Sequence, residues 1–232
     1  IGVDVKFLKP EQVKEIWPLC NIEGLIGAIQ HPEDGYIQPA DLTQALATGA
    51  RNKGAEIYRN TTVIGIKQNK DGWVVETDKG SIECEHVVSC SGNFARQTGK
   101  MVGLEIPVIP VEHQYIVTEP HPEIQKRKKD GLPEMGVLRD SDTQWYMREE
   151  AGGLLLGPYE KGAPCCYVDG PSKDSEYELF QEDLERLAPH IEGAIHRVPA
   201  FGEVGVKKVY NGAICYTPDG NPIVGPAWGL KN

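Results

Sequence analysis

Residues 87–119 read VVSCSGNFARQTGKMVGLEIPVIPVEHQYIVTE. Val87 and Val88, followed by small residues, predict a buried strand ending at Gly92. A short amphipathic helix follows, then a linker punctuated by Pro107 and Pro110. Glu112–Thr118 then alternates strictly, with His113, Tyr115 and Val117 on one face and Glu112, Gln114, Ile116 and Thr118 on the other. A small-residue strand stopping at a glycine lets backbone approach something flat or anionic. The next strand presents a titratable ring from a different surface. That order is one of a cofactor surface handing over to a substrate surface.

Outward from this stretch, Pro10, Val13 and Ile16 predict a short helix stopped by Pro18, and Gly24–Ile29 a strand. Pro39 opens a helix whose stripe is Leu42, Ala45, Leu46, Gly49 and Ala50, stopped at Gly54. Strands are predicted at Ala55–Tyr58 and Thr61–Gln68. Turns at Asp71-Gly72 and Lys79-Gly80 continue into Trp73–Thr77 and Ser81–Cys84 as a meander. Beyond the alternating strand, Glu119–Glu134 reads as a polar loop, and Gln144–Arg148 and Gly153–Leu156 as paired strands. Ser175-x-x-Glu178 has the form of a capping box opening a helix that Pro189 ends or kinks. Val209–Pro226 reads as strand, dense turn and the short apolar run Ile223-Val224-Gly225.

The 232 residues suffice for one large domain or two small ones, and 40% hydrophobic with 25% charged residues is an ordinary globular balance. A net charge of −10 argues against nucleic acid, and the basic run Lys126–Lys129 reads as a solvated loop. No segment has the run of about 18 apolar residues that a membrane span needs, and no leader pattern opens the chain. The six cysteines form no C-x-x-C pair and no metal-ligand spacing, which favours a reducing compartment; adjacent Cys165 and Cys166 leave a redox reading open. Residue 1 is Ile and the chain stops at Lys231-Asn232 after a turn-rich segment, so both ends read as cuts through a longer protein.

Three places stand out chemically. His113, a strand histidine sharing a face with Tyr115, is either a packed residue or a group that accepts a proton near neutral pH. Gln144, Tyr146 and Arg148 are expected on one strand face, either as an exposed sheet surface or as a cluster orienting a carboxylate or amine. Gly92-Asn93-Phe94 is a tight turn that suits close approach to a ligand, although any tight turn uses a glycine. No G-x-G-x-x-G, nucleophile elbow, P-loop or metal-ligand cluster occurs.

Taken in order, DGYIQPADLTQALATGARNKGAEI (34–57), TTVIGI (61–66), VVSCSGNFAR (87–96), EHQYIVTE (112–119), WYMRE (145–149), GLLLGPYE (153–160), HIEGAIHRVP (190–199) and YTPDGNPIVGP (216–226) resemble the dimethylglycine/sarcosine dehydrogenase branch of the FAD-dependent D-amino-acid-oxidase-like family. The resemblance implies a mixed α+β and α/β chain in two parts. Residues 1–107, with a meander at 55–84, are a partial FAD-binding domain of the Rossmann-like, glutathione-reductase type lacking its N-terminal βαβ. Residues 108–205 are a substrate domain built mostly on antiparallel sheet with flanking helices, and 206–232 return toward the FAD-binding part.

The resemblance also implies roles. Val63, Gly92 and Phe94 contact FAD, Phe94 standing where the family usually has Trp. His113 and Tyr146 flank the substrate as catalytic groups, with Arg148 and Tyr115 binding it. The implied reaction is oxidative demethylation of an N-methyl amino acid, dimethylglycine-like from the HQY form, with sarcosine or another amine as the near alternative. Covalent flavin attachment is expected outside the chain, tetrahydrofolate in a further C-terminal domain, and oxygen or an electron-transfer flavoprotein as electron acceptor. The implied location is bacterial cytoplasm or mitochondrial matrix. The piece alone is expected to bind FAD poorly. A catalytically silent relative, of the kind seen in the pyruvate dehydrogenase phosphatase regulatory subunit, is the non-enzyme alternative; retention of His113 and Tyr146 favours the enzyme.

Overall fold

The computed structural model describes residues 2–231. The first elements are β1 (Lys6–Leu8), α1 (Pro10–Ile16), β2 (Ala28–Gln30) and α2 (Pro39–Asn52). A meander of β3 (Val63–Gln68), β4 (Trp73–Thr77) and β5 (Gly80–Cys84) follows, then α3 (Ala95–Lys100). The second half holds β6 (Ile109–Thr118), α4 (Pro122–Lys129), β7 (Leu138–Asp140), β8 (Trp145–Glu150), β9 (Gly153–Pro158), α5 (Leu184–Arg197) and β10 (Val206–Tyr216). No helix among the described residues is long and apolar enough to cross a membrane.

The chain forms two compact units. The first comprises the residues up to Ile37 together with His113–Ala163 and Leu179–Gly212. It contains a sheet of order β10-β6-β9-β8-β7, in which β6/β9, β9/β8 and β8/β7 are antiparallel. The registers Ile116↔Leu156 and Leu156↔Met147 set these three side chains in one row, and all are fully buried. Trp145 and Leu154 share that face, and Leu187, Ala194 and Val198 from α5 and its end cover it. Each fully buried Leu, Ile, Val or Met side chain in this cluster stabilises the fold by about 1.5–3 kcal/mol. The Trp17 indole completes the cluster and donates its N–H to the Gly136 carbonyl at 2.6 Å.

Helix α5 begins at the N-cap Asp183, whose carboxylate accepts from Arg186 N at 3.0 Å. The sequence-predicted start at Ser175 is not used. Ser175 Oγ does donate to Glu178 at 2.9 Å, but Glu178 is also taken by the Tyr167 hydroxyl, so the local pair closes a turn and no helix forms there. Pro189 lies inside α5 and does not end it. The expected polar loop at 119–134 holds a helix, α4, capped by the His121 ring accepting from Glu123 N at 3.2 Å. Its last turn carries Lys126–Lys129, where positive charge suits the carbonyl end of a helix.

The second unit comprises Gln38–Glu112, Pro164–Glu178 and the residues from Ala213 on. Its β3-β4-β5 meander is antiparallel, as the two turns foretold, and Trp73 is its most buried large side chain at 4% exposure. The Asn69 side chain closes the first turn by accepting from Asp71 N and Gly72 N. Helix α2 spans the residues expected of it, yet its apolar stripe is largely uncovered: Leu46 is 65% exposed and no residue of the helix is buried. The expected strands at Ala55–Tyr58 and Val87–Ser91 have no regular secondary structure and no ladder partners among the described residues, and Val88 is exposed. A strand is defined by its neighbours, and no described strand lies alongside either segment. Ile223-Val224-Gly225 is likewise exposed and outside any sheet.

Candidate active site

The face of the first unit's sheet opposite α5 carries the side chains singled out for substrate. Registers Val117↔Leu155, Leu155↔Arg148 and Gly157↔Tyr146 place Tyr146 and Arg148 on the side of β8 that matches His113, Tyr115 and Val117 on β6. These four functional candidates therefore share one face, as the alternation within each strand implied. Gln144 does not join them: it sits at φ +57 in the turn before β8.

Tyr115 stacks on Tyr210 of β10, with ring centroids 4.7 Å apart and planes 15° from parallel. Tyr146 tilts against Tyr159 at 5.7 Å. Burial is the main reason both Tyr115 and Tyr146 hold their protons above the ordinary phenol range, so each is a hydroxyl donor at neutral pH. The Arg148 guanidinium lies 4.3 Å over the Tyr36 ring and its Nη1 contacts Glu150 at 2.6 Å. The Tyr36 hydroxyl in turn donates to Glu134 at 2.7 Å. Arg148 is thereby held by a ring and a carboxylate, a geometry Lys would not reproduce.

His113 is largely covered, with 24% of its side chain exposed. Its Nδ1 stands 3.6 Å from Oε2 of Glu160, a carboxylate with no solvent exposure. Burial holds the imidazole below its ordinary value; Glu160 opposes that shift, and Arg186 adds to it. The ring is therefore neutral at pH 7, with a lone pair able to take a proton or a hydrogen bond. Glu160 itself accepts from Gln114 N at 3.0 Å, Gln114 Nε2 at 2.9 Å and Arg186 Nε at 2.6 Å.

Tyr36, Tyr210 and Glu160 were not assigned from sequence. Tyr210 stands in a visible strand, but its pairing with Tyr115 arises between segments 95 residues apart by number (210 − 115). Glu160 follows β9 in a Gly-Pro-Tyr-Glu run with no periodicity to mark it.

In the second unit, Val63 and Phe94 are 38% and 37% exposed. Gly92 has φ +54 in the left-handed region, and a Cβ built on it would meet nothing within 4 Å. Beside it, Asn93 Oδ1 is buried without a hydrogen-bond partner among the described residues. Apolar surface, a glycine gap and an unpaired acceptor suit a flat ring carrying N–H groups, which is the chemistry of a flavin. Among the described residues no three His, Cys, Asp or Glu side chains cluster as a metal ion would require.

The chain is 40% identical to rat mitochondrial dimethylglycine dehydrogenase over 231 residues, covering 97% of this chain and 26% of that protein. It is 33% identical to mouse mitochondrial sarcosine dehydrogenase over 236 residues, covering 99% of this chain and 25% of that one. It thus spans about a quarter of the length of these curated relatives. Among solved structures, the L-proline dehydrogenase from P. horikoshii superimposes with a TM-score of 0.80 at 28% identity, covering 97% of this chain and 56% of that one. The model of the family described as FAD dependent oxidoreductase matches residues 1–232, and the chain belongs to that family.

Proposed function

We propose that the chain carries the substrate-facing sheet of an enzyme that oxidatively demethylates an N-methyl amino acid of the dimethylglycine type. The observation that carries this reading is the shared sheet face on which a neutral, mostly buried His113 joins Tyr115, Tyr146 and Arg148. A tertiary amine is mostly protonated in neutral water, and its lone pair must be free before a hydride can leave the methyl carbon. His113 takes that proton or holds the neutral amine. Tyr146 donates a hydrogen bond from its protonated hydroxyl. Arg148, already oriented by Tyr36 and Glu150, offers its remaining N–H groups to the substrate carboxylate. Tyr115 supplies an apolar wall, stiffened by its stack on Tyr210.

In the second unit, Gly92, Phe94 and Val63, with the acceptor Asn93 Oδ1, would hold FAD. Bound FAD supplies the two-electron oxidant for removing hydride from the N-methyl carbon.

The test is anaerobic stopped-flow reduction of the FAD-loaded full-length protein by N,N-dimethylglycine and by sarcosine. Reduction by dimethylglycine, faster than by sarcosine, is expected, and His113→Gln is expected to slow it by about 10²–10⁴-fold, the usual worth of general-base help. Failure of both amines to reduce the flavin would sink the reading.

A further inference from the structure

We infer that Glu160 is a positioning residue for His113: its buried carboxylate holds the imidazole as the Nδ1–H tautomer and leaves Nε2 as the proton acceptor. This rests on the reading of His113 as the group that handles the amine proton.

The carboxylate is a built feature of the fold. Oε1 accepts from Gln114 Nε2 and Arg186 Nε, while Oε2 accepts from Gln114 N and faces His113 Nδ1 at 3.6 Å. Three donors and complete burial fix the carboxylate in place. Two arrangements are open to the ring. An unprotonated Nδ1 would turn a lone pair toward an anionic oxygen, which is repulsive in a site shielded from water. A protonated Nδ1 turns its N–H toward that oxygen, which is attractive. The other ring nitrogen makes no hydrogen bond among the described residues, so nothing on that side selects the opposite tautomer.

Burial first, and Arg186 second, keep this orientation from simply charging the histidine. An isolated buried carboxylate would draw a second proton onto the ring and remove the lone pair that the chemistry needs. Here the Arg186 guanidinium sits on the far oxygen at 2.6 Å, with Asp183 3.5 Å from its Nη1. The carboxylate is compensated, and the imidazole stays neutral while it is oriented, in keeping with its lowered proton affinity. The charged groups that act on His113 are Glu160 and Arg186, and they oppose each other.

The geometry also says what Glu160→Gln does. The amide oxygen stays where Oε1 was, because two donors point there. The NH₂ group then occupies the Oε2 position, where it forfeits the bond from Gln114 N but donates toward Nδ1, so the ring switches to Nε2–H.

The experiment is a long-range ¹H–¹⁵N correlation spectrum of the full chain labelled at histidine, with the His113 signals assigned by their loss in His113→Gln. The parent is expected to show protonated Nδ1 and unprotonated Nε2 at neutral pH, and Glu160→Gln to show the reverse. An Nε2–H parent, an even mixture, or a Glu160→Gln spectrum unchanged from the parent overturns the inference. Should Glu160→Gln not fold, Glu160→Asp keeps the carboxylate: the parent pattern retained supports the inference, and its loss overturns it. In the FAD-loaded protein, Glu160→Gln is expected to cut the rate of flavin reduction by about 10²-fold, within the span of general-base catalysis, with substrate Kd little changed. Weaker binding at an unchanged rate counts against a positioning role. Normal turnover by His113→Gln would instead overturn the proton-handling reading, and the tautomer spectrum is independent of it.

Discussion

The hydroxyl end of the Tyr146 ring on β8 lies over Gly157 on β9, its partner in the ladder: a Cβ on Gly157 would overlap Tyr146 Cζ. A glycine opposite a tyrosine is therefore a packing requirement at this point of the sheet. Gly157→Ala is expected to push Tyr146 off its position at a cost of about 1–3 kcal/mol, the range for overpacking. Thermal unfolding reads the loss directly. Flavin reduction should slow in the same variant, and an Ala variant with parental stability and rate would show that the ring moves freely.

His113 gives the fold a defined pH dependence. Burial holds its folded-state value below the ordinary 6.5. The unfolded chain therefore takes up the proton first as pH falls. This contribution is fully present above the unfolded value and is lost as pH drops from there through the folded value. Urea midpoints measured at about pH 7.5 and about pH 5.5 should fall less in His113→Gln than in the parent. An identical fall in both would mean the group is not protected from protonation.

Gln114 is a fully buried polar side chain that ties β6 to the start of α5: its Oε1 accepts from Asp183 N at 2.8 Å and its Nε2 donates to Glu160 and to the Asp183 carbonyl. Gln114→Leu has similar bulk but leaves those groups short of a partner. The expected loss is about 1–3 kcal/mol, from buried groups left unsatisfied. Chemical denaturation measures it, and the His113 imidazole signals should shift too, because Glu160 loses one of its anchors.

Asp183 caps α5 through Arg186 N, and Asp183→Ala is expected to cost about 1 kcal/mol, whereas Asp183→Asn should retain most of the cap. The matched change at the sequence-predicted start, Ser175→Ala, should leave α5 untouched because no helix begins there. Comparing the two melting temperatures decides which residue starts the helix.

What could be read from the chain alone was whatever depends on local period. The alternation of Glu112–Thr118 placed His113 and Tyr115 on one side of β6 and Gln114 and Ile116 on the other, because a pleated strand turns every second side chain the same way. Pro39 and Gly54 bounded a helix, and two glycine turns marked a meander, for equally local reasons. Local patterns misled where they lacked partners: Val87–Ser91 has the composition of a strand but no described neighbour to pair with, and Ser175 with Glu178 satisfied each other without winding a helix. Only the tertiary structure could join β6, β8 and β9 so that His113, Tyr115, Tyr146 and Arg148 share a face, and only it could bring Glu160 and Arg186 beside His113. Those contacts link segments tens of residues apart, and their energy comes from excluding water around charges and rings, for which a linear sequence has no local signature.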